Sequence, residues 1–290
     1  MLFEATPRGG LSDLHLLDPA SGRETALTRT ADREERWPAW APDGSALAFA
    51  FRGGSPGAGI ALRERGARGF VRARDLASSE PPLLYLRPEF SPDARLLVAQ
   101  KRRSPDDANS DLWLLERGGS SPPRALVSDP AWHQFKAAFS RDGARVIFSR
   151  RAAAGGAQSI WSVPTAGGAP QPLQLDARFD QHSARPSPTR DELAFSADRG
   201  GNGSHDLYLS DLSGGGIRAL CASAEQDEYA PRWSPDGERL VAIRARRGRL
   251  PRLADPESLR DTRIAVFDRS GALLHETPGF MADWMPPWQD

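Results

Sequence analysis

The segment Pro231-Arg232-Trp233-Ser234-Pro235-Asp236-Gly237, followed by the apolar run Leu240-Val241-Ala242, decides the fold of this 290-residue chain. Similar segments recur along the sequence, and in each of them one position, called the anchor here, corresponds to Trp233. Successive anchors are 47 to 55 positions apart. A period of this size, with a turn signal in each unit, indicates a repeat architecture, and the strand-rich propeller is the first candidate. The anchors are Trp40, Phe90, Phe139, Pro186, Trp233 and Trp288.

Each repeat contains a turn and several short strands. In the best-preserved unit, Pro235-Asp236-Gly237 predicts a tight turn, because proline presets φ, aspartate bonds nearby backbone and glycine accepts a positive φ. Four antiparallel strands per period constitute a propeller blade. Strands are predicted at 230–234, 239–243, 262–268 and 273–277 in this unit, at 192–196, 206–211 and 218–221 in the preceding one, and weakly at 60–63 and 70–74 in the first.

The two ends of the chain complement each other. Residues 2–5, 12–18 and 24–28 match second, third and fourth strands, whereas 283–288 matches an isolated first strand. We therefore predict an all-β, six-bladed β-propeller with four antiparallel strands per blade, closed by a blade shared between the N- and C-termini, since closure removes exposed sheet edges. An open array of β-meanders is the alternative. The expected single domain spans 1–290, with the outer strands of the shared blade in 1–36, blades 1 to 5 in 37–82, 83–131, 132–179, 180–226 and 227–280, and the inner strand of the shared blade in 281–290.

The aromatic-Ser-Pro-Asp-Gly turn, the apolar strand after it and the later Asp-Leu-Tyr strand at 206–208 resemble the TolB-type, WD40-like β-propeller repeats. The resemblance covers essentially the whole chain and implies a propeller fold. We expect neither the α/β domain that precedes the propeller in TolB nor a Tol–Pal envelope role. We also expect no hydrolase domain of the kind that accompanies related propellers in prolyl-oligopeptidase-like peptidases.

Bulk composition excludes several classes of function. The 38 basic and 38 acidic residues balance, so no global field attracts nucleic acid or an acidic membrane. No stretch approaches the ~20 apolar residues that span a bilayer, and the N-terminus lacks a secretory signal pattern. The single cysteine, Cys221, cannot form an internal disulfide. We expect a cytoplasmic monomer whose partner is neither nucleic acid nor membrane.

Residues five and six positions before each anchor are expected at the channel mouth, because the loops entering the first strands of a propeller share one face. The Pro-Asp-Gly turns lie on the other face. Six of these residues are carboxylates, and a ring of oxygens suits Ca²⁺ in the central channel or a cationic peptide group. Alternatively, the side chains only cap strand amides. The candidate mouth residues are Glu34, Glu35, Tyr85, His133, Gln134, Asp180, Gln181, His182, Asp227, Glu228 and Asp283, of which Asp180, Asp227, Glu228 and Asp283 are candidate metal ligands.

Two further groups of side chains suggest chemistry at the mouth. His133 and His182, with Asp180, Asp227 and Gln134, resemble a mixed shell for a transition metal, whereas His15, His205 and His275 are expected to face solvent. Basic residues after the second strands predict a rim for an acidic or peptidic partner, with a solvated, salt-bridged rim as the alternative. The rim residues are Arg52, Arg102, Arg103, Arg150, Arg151, Arg199, Arg246 and Arg247.

No nucleophile elbow and no phosphate-binding glycine loop is present in the sequence. The leading hypothesis is a non-catalytic binding scaffold that recognises a protein or peptide segment at the channel mouth. The alternative is a metal-dependent lyase or hydrolase that acts in the same mouth. No cofactor is predicted with the scaffold, apart from Ca²⁺ in the channel.

Overall fold

The computed structural model describes residues 2–5, 12–17, 23–54, 57–66, 69–79, 84–102, 109–173, 178–248, 262–278 and 282–283. Regular structure in these ranges consists of β-strands, and no helix there has the length and hydropathy needed to cross a membrane. The strands are β1 (Leu2–Ala5), β2 (Asp13–Leu17), β3 (Glu24–Ala26), β4 (Arg33–Trp40), β5 (Ala46–Gly53), β6 (Gly57–Gly66), β7 (Gly69–Phe70), β8 (Arg74–Ser79), β9 (Leu84–Phe90), β10 (Leu96–Arg102), β11 (Ser110–Glu116), β12 (Arg124–Val127), β13 (Trp132–Phe139), β14 (Arg145–Ala152), β15 (Ser159–Pro164), β16 (Gln171–Pro172), β17 (Asp180–Pro186), β18 (Glu192–Asp198), β19 (Asp206–Asp211), β20 (Arg218–Cys221), β21 (Gln226–Trp233), β22 (Arg239–Arg246), β23 (Arg263–Asp268), β24 (Leu273–Pro278) and β25 (Ala282–Asp283).

The strands associate into antiparallel sheets of four or five strands, so the predicted all-β class is confirmed. Five sheets use strands that are consecutive in sequence, and we call them blades 1 to 5: β4–β8, β9–β12, β13–β16, β17–β20 and β21–β24. The terminal sheet, in contrast, has the order β25-β1-β2-β3 and joins the two ends of the chain. Its register places Leu2 opposite Asp283 and Phe3 opposite Ala282.

Strand boundaries differ from the sequence prediction mainly at the inner strands. The strand β4 begins at Arg33, before the expected blade boundary at 37, because Glu34 and Glu35 already pair with Arg52 and Phe51. The strand β21 likewise begins at Gln226. The strand predicted at 70–74 is wrong, since β8 pairs with β6 as the outer strand and β7 forms a short hairpin. The expected inner strand at 283–288 lies mostly outside the described residues.

The Ser-Pro-Asp-Gly signature builds a hydrogen-bonded turn between the first and second strands. Ser234 Oγ donates to Asp236 Oδ1 at 2.5 Å and accepts from the Arg239 backbone N–H at 2.9 Å. Asp236 Oδ1 also accepts from the Glu238 backbone N–H at 3.0 Å. These contacts require a left-handed residue at the end of the turn, and the predicted positive φ is confirmed at the three glycines Gly44 (69°), Gly143 (70°) and Gly237 (71°).

The core lies between neighbouring sheets. Phe49, Phe148 and Phe195 occupy equivalent positions on second strands and are almost fully buried. The anchor Trp233 is also buried, and its indole N–H donates to the Arg185 carbonyl of the preceding blade at 2.9 Å. Adjacent blades are therefore held by apolar contact together with specific hydrogen bonds. This rigid frame fixes the positions of the inner strands.

Candidate functional site

The first strand of each of blades 1 to 5, which we call its inner strand, contains a β-bulge three residues before the anchor position. The bulged residues are not glycines, yet their φ angles lie between 51° and 57°. Such a conformation strains a residue with a side chain and is maintained only where surrounding contacts impose it. Serine hydroxyls of neighbouring blades supply two of these contacts, because Ser149 accepts from Ser183 N and Ser196 accepts from Ala230 N, each at 3.1 Å. The bulged residues are Trp37, Arg87, Lys136, Ser183 and Ala230.

Three of the bulged residues, Trp37, Arg87 and Lys136, line a cleft of about 690 Å³ at the mouth formed by blades 1 to 3. Strand register explains how the predicted mouth and rim meet there. Glu34 lies opposite Arg52, Leu84 opposite Arg102, and His133 opposite Arg151, and all six residues line the cleft.

The cleft is basic rather than acidic. Among its described lining residues the only carboxylate is Glu34, which lies 2.5 Å from the Arg36 guanidinium. Six basic side chains surround the same space, so the local potential attracts anions. Aromatic surfaces of Tyr85 and Phe135 form part of the walls. The basic residues are Arg36, Arg52, Arg87, Arg102, Lys136 and Arg151.

The other described carboxylates of the predicted mouth have separate partners away from the cleft. Asp227 is 0% exposed and accepts from the backbone N–H groups of His205 (3.0 Å) and Gly248 (2.8 Å). Glu228 is also buried and accepts from Arg244 Nε at 3.0 Å, although burial dominates and raises the pKa of Glu228 to about 7. Burial likewise raises the pKa of Glu35, which lies near Thr28 and Arg63.

These contacts do not bring Asp227 and Glu228 together with Asp180 as a calcium shell. The side chain of Asp283, the fourth candidate ligand, lies outside the described residues. Simple alternation of side chains along the strand does not describe this part of β21, because the neighbours Asp227 and Glu228 are both buried. The described residues five positions before the anchors are all buried: Glu35, Tyr85, Gln134, Gln181 and Glu228.

The predicted arginine rim divides into two parts. Arg52, Arg102 and Arg151 line the cleft, and Arg246 is exposed. The remaining described members have other contacts, whereas Arg103 lies outside the described residues. Arg150 pairs with Asp129 at 2.7 Å and stacks on Trp132 and Trp161, Arg199 lies over Phe179 and Tyr208, and Arg247 pairs with Asp206 at 2.9 Å.

A second cluster lies beside the cleft and contains Asp180, His182 and His205. Their candidate ligand atoms all lie within 4.8 Å of one another. The two imidazole rings are 4.8 Å apart between centroids, and His205 Nε2 is 3.7 Å from Asp180 Oδ1. The expectation that His205 faces solvent is wrong, since only 6% of it is exposed. His133 lies outside this cluster, stacked on Phe135 and 2.9 Å from Ser110 Oγ.

Lys136 connects the cleft with this cluster, because its Nζ lies 3.1 Å from His182 Nδ1. Burial, together with the charges of Arg87, Arg185 and Arg151, lowers the pKa of Lys136 to about 7 against an opposing effect of Asp180. Burial and the Lys136 charge also lower the pKa of His182 well below its ordinary value. Burial acts to raise the pKa of Asp180, but contacts with His205 and Gln158 outweigh it and lower that pKa.

The opposite end of the channel is bridged by an ion pair between blades that are not consecutive in sequence. Arg232 Nη1 lies 3.0 and 2.9 Å from the two carboxylate oxygens of Glu89, and Arg185 is 3.7 Å from the same carboxylate. This links blade 2 with blades 4 and 5. A smaller cleft of about 340 Å³ lies at this end, among the Pro-Asp-Gly turns. The two faces of the molecule thus differ in their chemistry.

The fold is similar to that of a protein assigned to TolB from Agrobacterium tumefaciens, with a TM-score of 0.69, 17% identity, and coverage of 94% of this chain and 93% of that one. TolB from Acinetobacter baumannii gives a TM-score of 0.65 at 18% identity, over 90% of this chain and 58% of that one. This likeness shows that the chain folds as a β-propeller similar to these TolB structures. The predicted propeller class and the resemblance to TolB-type repeats are confirmed.

Enzymes share this architecture. A prolyl endopeptidase matches with a TM-score of 0.63 at 14% identity, over 94% of this chain and 39% of that one. An oligogalacturonate lyase in complex with manganese matches with a TM-score of 0.62 at 16% identity, over 93% of this chain and 74% of that one. No known protein family and no curated protein matches the sequence. The TolB-like fold therefore does not by itself determine the function.

Counting back from the anchors missed the bulged residues of this propeller. A signal was present, since Trp37, Arg87 and Lys136 each stand three positions before an anchor. Two of them, Arg87 and Lys136, are basic. His205 was missed for another reason: it comes from the loop before the third strand β19, and such loops share the mouth face with the first strands.

Proposed function

We propose that this propeller is a non-catalytic binding module that accepts an acidic peptide segment of a partner protein in the cleft at the channel mouth. The main support for this proposal is the positive charge of the cleft. Six basic side chains line it against one carboxylate, Glu34, which is already paired with Arg36. An anionic group is the chemistry that such a lining favours.

The dimensions and walls of the cleft support a peptide as the occupant. Its volume of about 690 Å³ lies within the ~300–1,000 Å³ usual for ligand sites. Trp37, Tyr85 and Phe135 supply apolar surface beside the charges, a combination typical of sites that hold amphipathic side chains. The bulges on rigid inner strands preorganise these groups, which limits the ordering cost of association.

The proposal keeps the expected location but reverses the expected charge of the mouth. Carboxylates that were expected to face the channel, such as Glu228 and Asp227, are buried and hydrogen-bonded elsewhere. Arginines opposite the inner strands and the bulged cations instead face the cleft. A cationic peptide group is therefore no longer the favoured partner.

The test is fluorescence anisotropy with a labelled decapeptide rich in Asp and Glu, beside its Asn/Gln counterpart. The acidic peptide should bind, with an affinity that falls as salt is added. Arg151→Gln and Arg52→Gln should each weaken binding about tenfold, which corresponds to about 1.4 kcal/mol and suits loss of one charged hydrogen bond. Arg141→Gln is the matched control, because Arg141 lies at the other end of the channel and pairs with Asp191.

Two outcomes would contradict the proposal. One is equal affinity for the acidic and the neutral peptide. The other is an equal loss of affinity in the Arg141→Gln control and the Arg151→Gln variant, which would indicate general charge attraction rather than a site in the cleft.

We further propose that the terminal sheet acts as a sixth blade and closes the ring. The pairing of β25 with β1 supports this, since it gives a terminal strand the same neighbour relation that inner strands have in blades 1 to 5. Contacts of β1 and β2 with β4 place the terminal sheet beside blade 1. Truncation of the C-terminal strand tests this proposal, as described below.

A further inference from the structure

We propose that Asp180, His182 and His205 form a binding site for a divalent transition metal ion, with Zn²⁺ as the representative ion. This proposal stands on its own observations and does not depend on the peptide. Two imidazoles and one carboxylate are a donor set that suits Zn²⁺, Fe²⁺ and related ions, whereas Ca²⁺ prefers oxygen ligands alone. The group differs from the all-oxygen calcium set considered in the sequence analysis. It keeps His182 and Asp180 of the mixed shell considered there, with His205 in the place of His133.

The geometry is close to that of a bound state. Zn–N bonds of about 2.0–2.1 Å place the ligands of a tetrahedral site about 3.4 Å apart. His205 Nε2 and Asp180 Oδ1 are already 3.7 Å apart, and the candidate ligand atoms lie within 4.8 Å of one another. Side-chain movements on the order of 1 Å would therefore complete the site, without a change in the strands.

His205 provides the second, independent observation. Both of its ring nitrogens are buried, and neither has a partner within hydrogen-bond distance. Leaving buried polar atoms unsatisfied costs about 1–3 kcal/mol each, so a partner at either ring nitrogen would stabilise the folded protein. A metal ion bound at Nε2 is a partner that would also engage the nearby carboxylate of Asp180.

The surrounding groups would orient the other two ligands. Gln158 Nε2 contacts both oxygens of Asp180, at 2.9 and 3.2 Å. Ser183 Oγ lies 2.9 Å from His182 Nδ1. Outer partners of this type fix the orientation of metal ligands. The Asp180 side chain is 30% exposed, which gives an ion a route from solvent and leaves a position for water or an anionic ligand.

Lys136 opposes the site electrostatically, because its Nζ lies 3.1 Å from His182 Nδ1. A cation bound at the cluster therefore competes with a neighbouring positive charge. This repulsion lowers the affinity for the metal ion, but the three ligand side chains remain in place.

Isothermal titration of chelator-stripped protein with Zn²⁺ tests the proposal, and Co²⁺ absorption reports the ligands directly. One equivalent should bind. Even the loss of a group that orients a ligand costs about 10–100-fold in metal affinity, so His205→Gln and Asp180→Asn should each weaken binding by at least that factor. The control His133→Gln alters a histidine of the adjacent inner strand outside the cluster and should leave affinity unchanged.

Circular dichroism and thermal melting without metal must show that each variant is folded. A stripped wild-type protein that binds no Zn²⁺ would overturn the proposal. So would folded His205→Gln and Asp180→Asn variants that bind Zn²⁺ as the wild type does, because surface histidines would then account for the binding.

Discussion

Replacing Gly237 with alanine should destabilise the folded chain more than the same change at Gly143. Both glycines close equivalent turns with almost equal φ angles, 71° and 70°. A left-handed conformation costs a residue with a side chain about 1–2 kcal/mol. Alanine also restricts the unfolded chain more than glycine does, which offsets about 0.4–1 kcal/mol of this cost. Ala94 adopts a φ of 57° at the same turn position of blade 2, so the conformation is tolerated.

The difference between the two sites comes from their neighbours. A Cβ at Gly143 would meet Pro92 at 3.6 Å, an ordinary contact, and Gly143→Ala should cost about 1 kcal/mol. A Cβ at Gly237 would lie only 2.2 Å from Thr189 Oγ1, so Thr189 must move. Overpacking of this kind costs about 1–3 kcal/mol more.

Equilibrium unfolding in urea measures both costs, and a double-mutant cycle with Thr189→Ala isolates the clash. The cycle should return a coupling on the order of 1 kcal/mol, because Gly237→Ala is less harmful once Oγ1 is gone. Equal costs at the two glycines, or a coupling near zero, would refute the steric argument. Peptide binding should be unchanged in every variant, since these turns lie on the face opposite the cleft.

Three further predictions concern the stability of the fold. Burial raises the pKa of Glu228 to about 7 from 4.5. Between pH 4.5 and pH 7, Glu228 is therefore protonated in the folded chain but ionised in the unfolded chain. The free energy of unfolding should fall as pH rises across this window, by on the order of 3 kcal/mol. Glu228→Gln should lack that fall while Arg244 keeps Glu276 as a partner, and parallel pH profiles of the two proteins would contradict the argument. Ser196→Ala should cost about 1–3 kcal/mol by removing the acceptor for the bulged Ala230 N–H, and an unchanged urea midpoint would show that the bulge does not need it. Deleting residues 282–290 should unfold or aggregate the protein by unpairing β1, so a truncated monomer with an unaltered melting temperature would refute ring closure by the terminal sheet.

The sequence was most informative where local chemistry alone determines the backbone. The turn at Ser234-Pro235-Asp236-Gly237 is specified by its own residues, so its positive φ was predictable. The strands β19 and β20 have the predicted bounds, because alternating apolar residues and flanking turns define them. Pairing of 2–5 with the far end of the chain was predictable from the repeat, since a repeat shows which strand each terminus lacks.

The candidate site was less predictable because tertiary contacts position it. Nothing in Trp37 or Lys136 favours a left-handed backbone, and the bulge is imposed by adjacent blades. A bulge changes which face of a strand a side chain joins. The bulged Lys136 lines the cleft, whereas Glu228, which precedes the bulge of its own strand, is buried. His205 lies in the loop before β19, and the position of that loop is determined by the packing of the whole blade rather than by its own residues.

The channel mouth contains two neighbouring proposed sites, one for an anionic peptide and one for a metal cation, and Lys136 lies between them. It lines the anion-binding cleft and lies 3.1 Å from His182 of the proposed metal cluster. A bound cation adds positive charge next to a cleft that favours anions, and a bound anion offsets the charge that Lys136 presents to a cation. Zn²⁺ and the acidic peptide should therefore bind with positive cooperativity.

Linkage requires that each ligand raise the affinity for the other by the same factor. At close range a coupling of 1.4 kcal/mol, a tenfold effect, is a reasonable size. Anisotropy titrations of the peptide with and without saturating Zn²⁺ measure it, and the neutral Asn/Gln peptide should show no such gain. His205→Gln should abolish the effect of Zn²⁺ on peptide affinity while leaving metal-free peptide binding intact. If Zn²⁺ binds the wild type but leaves the affinity for the acidic peptide unchanged, the two sites are independent and Lys136 does not connect them.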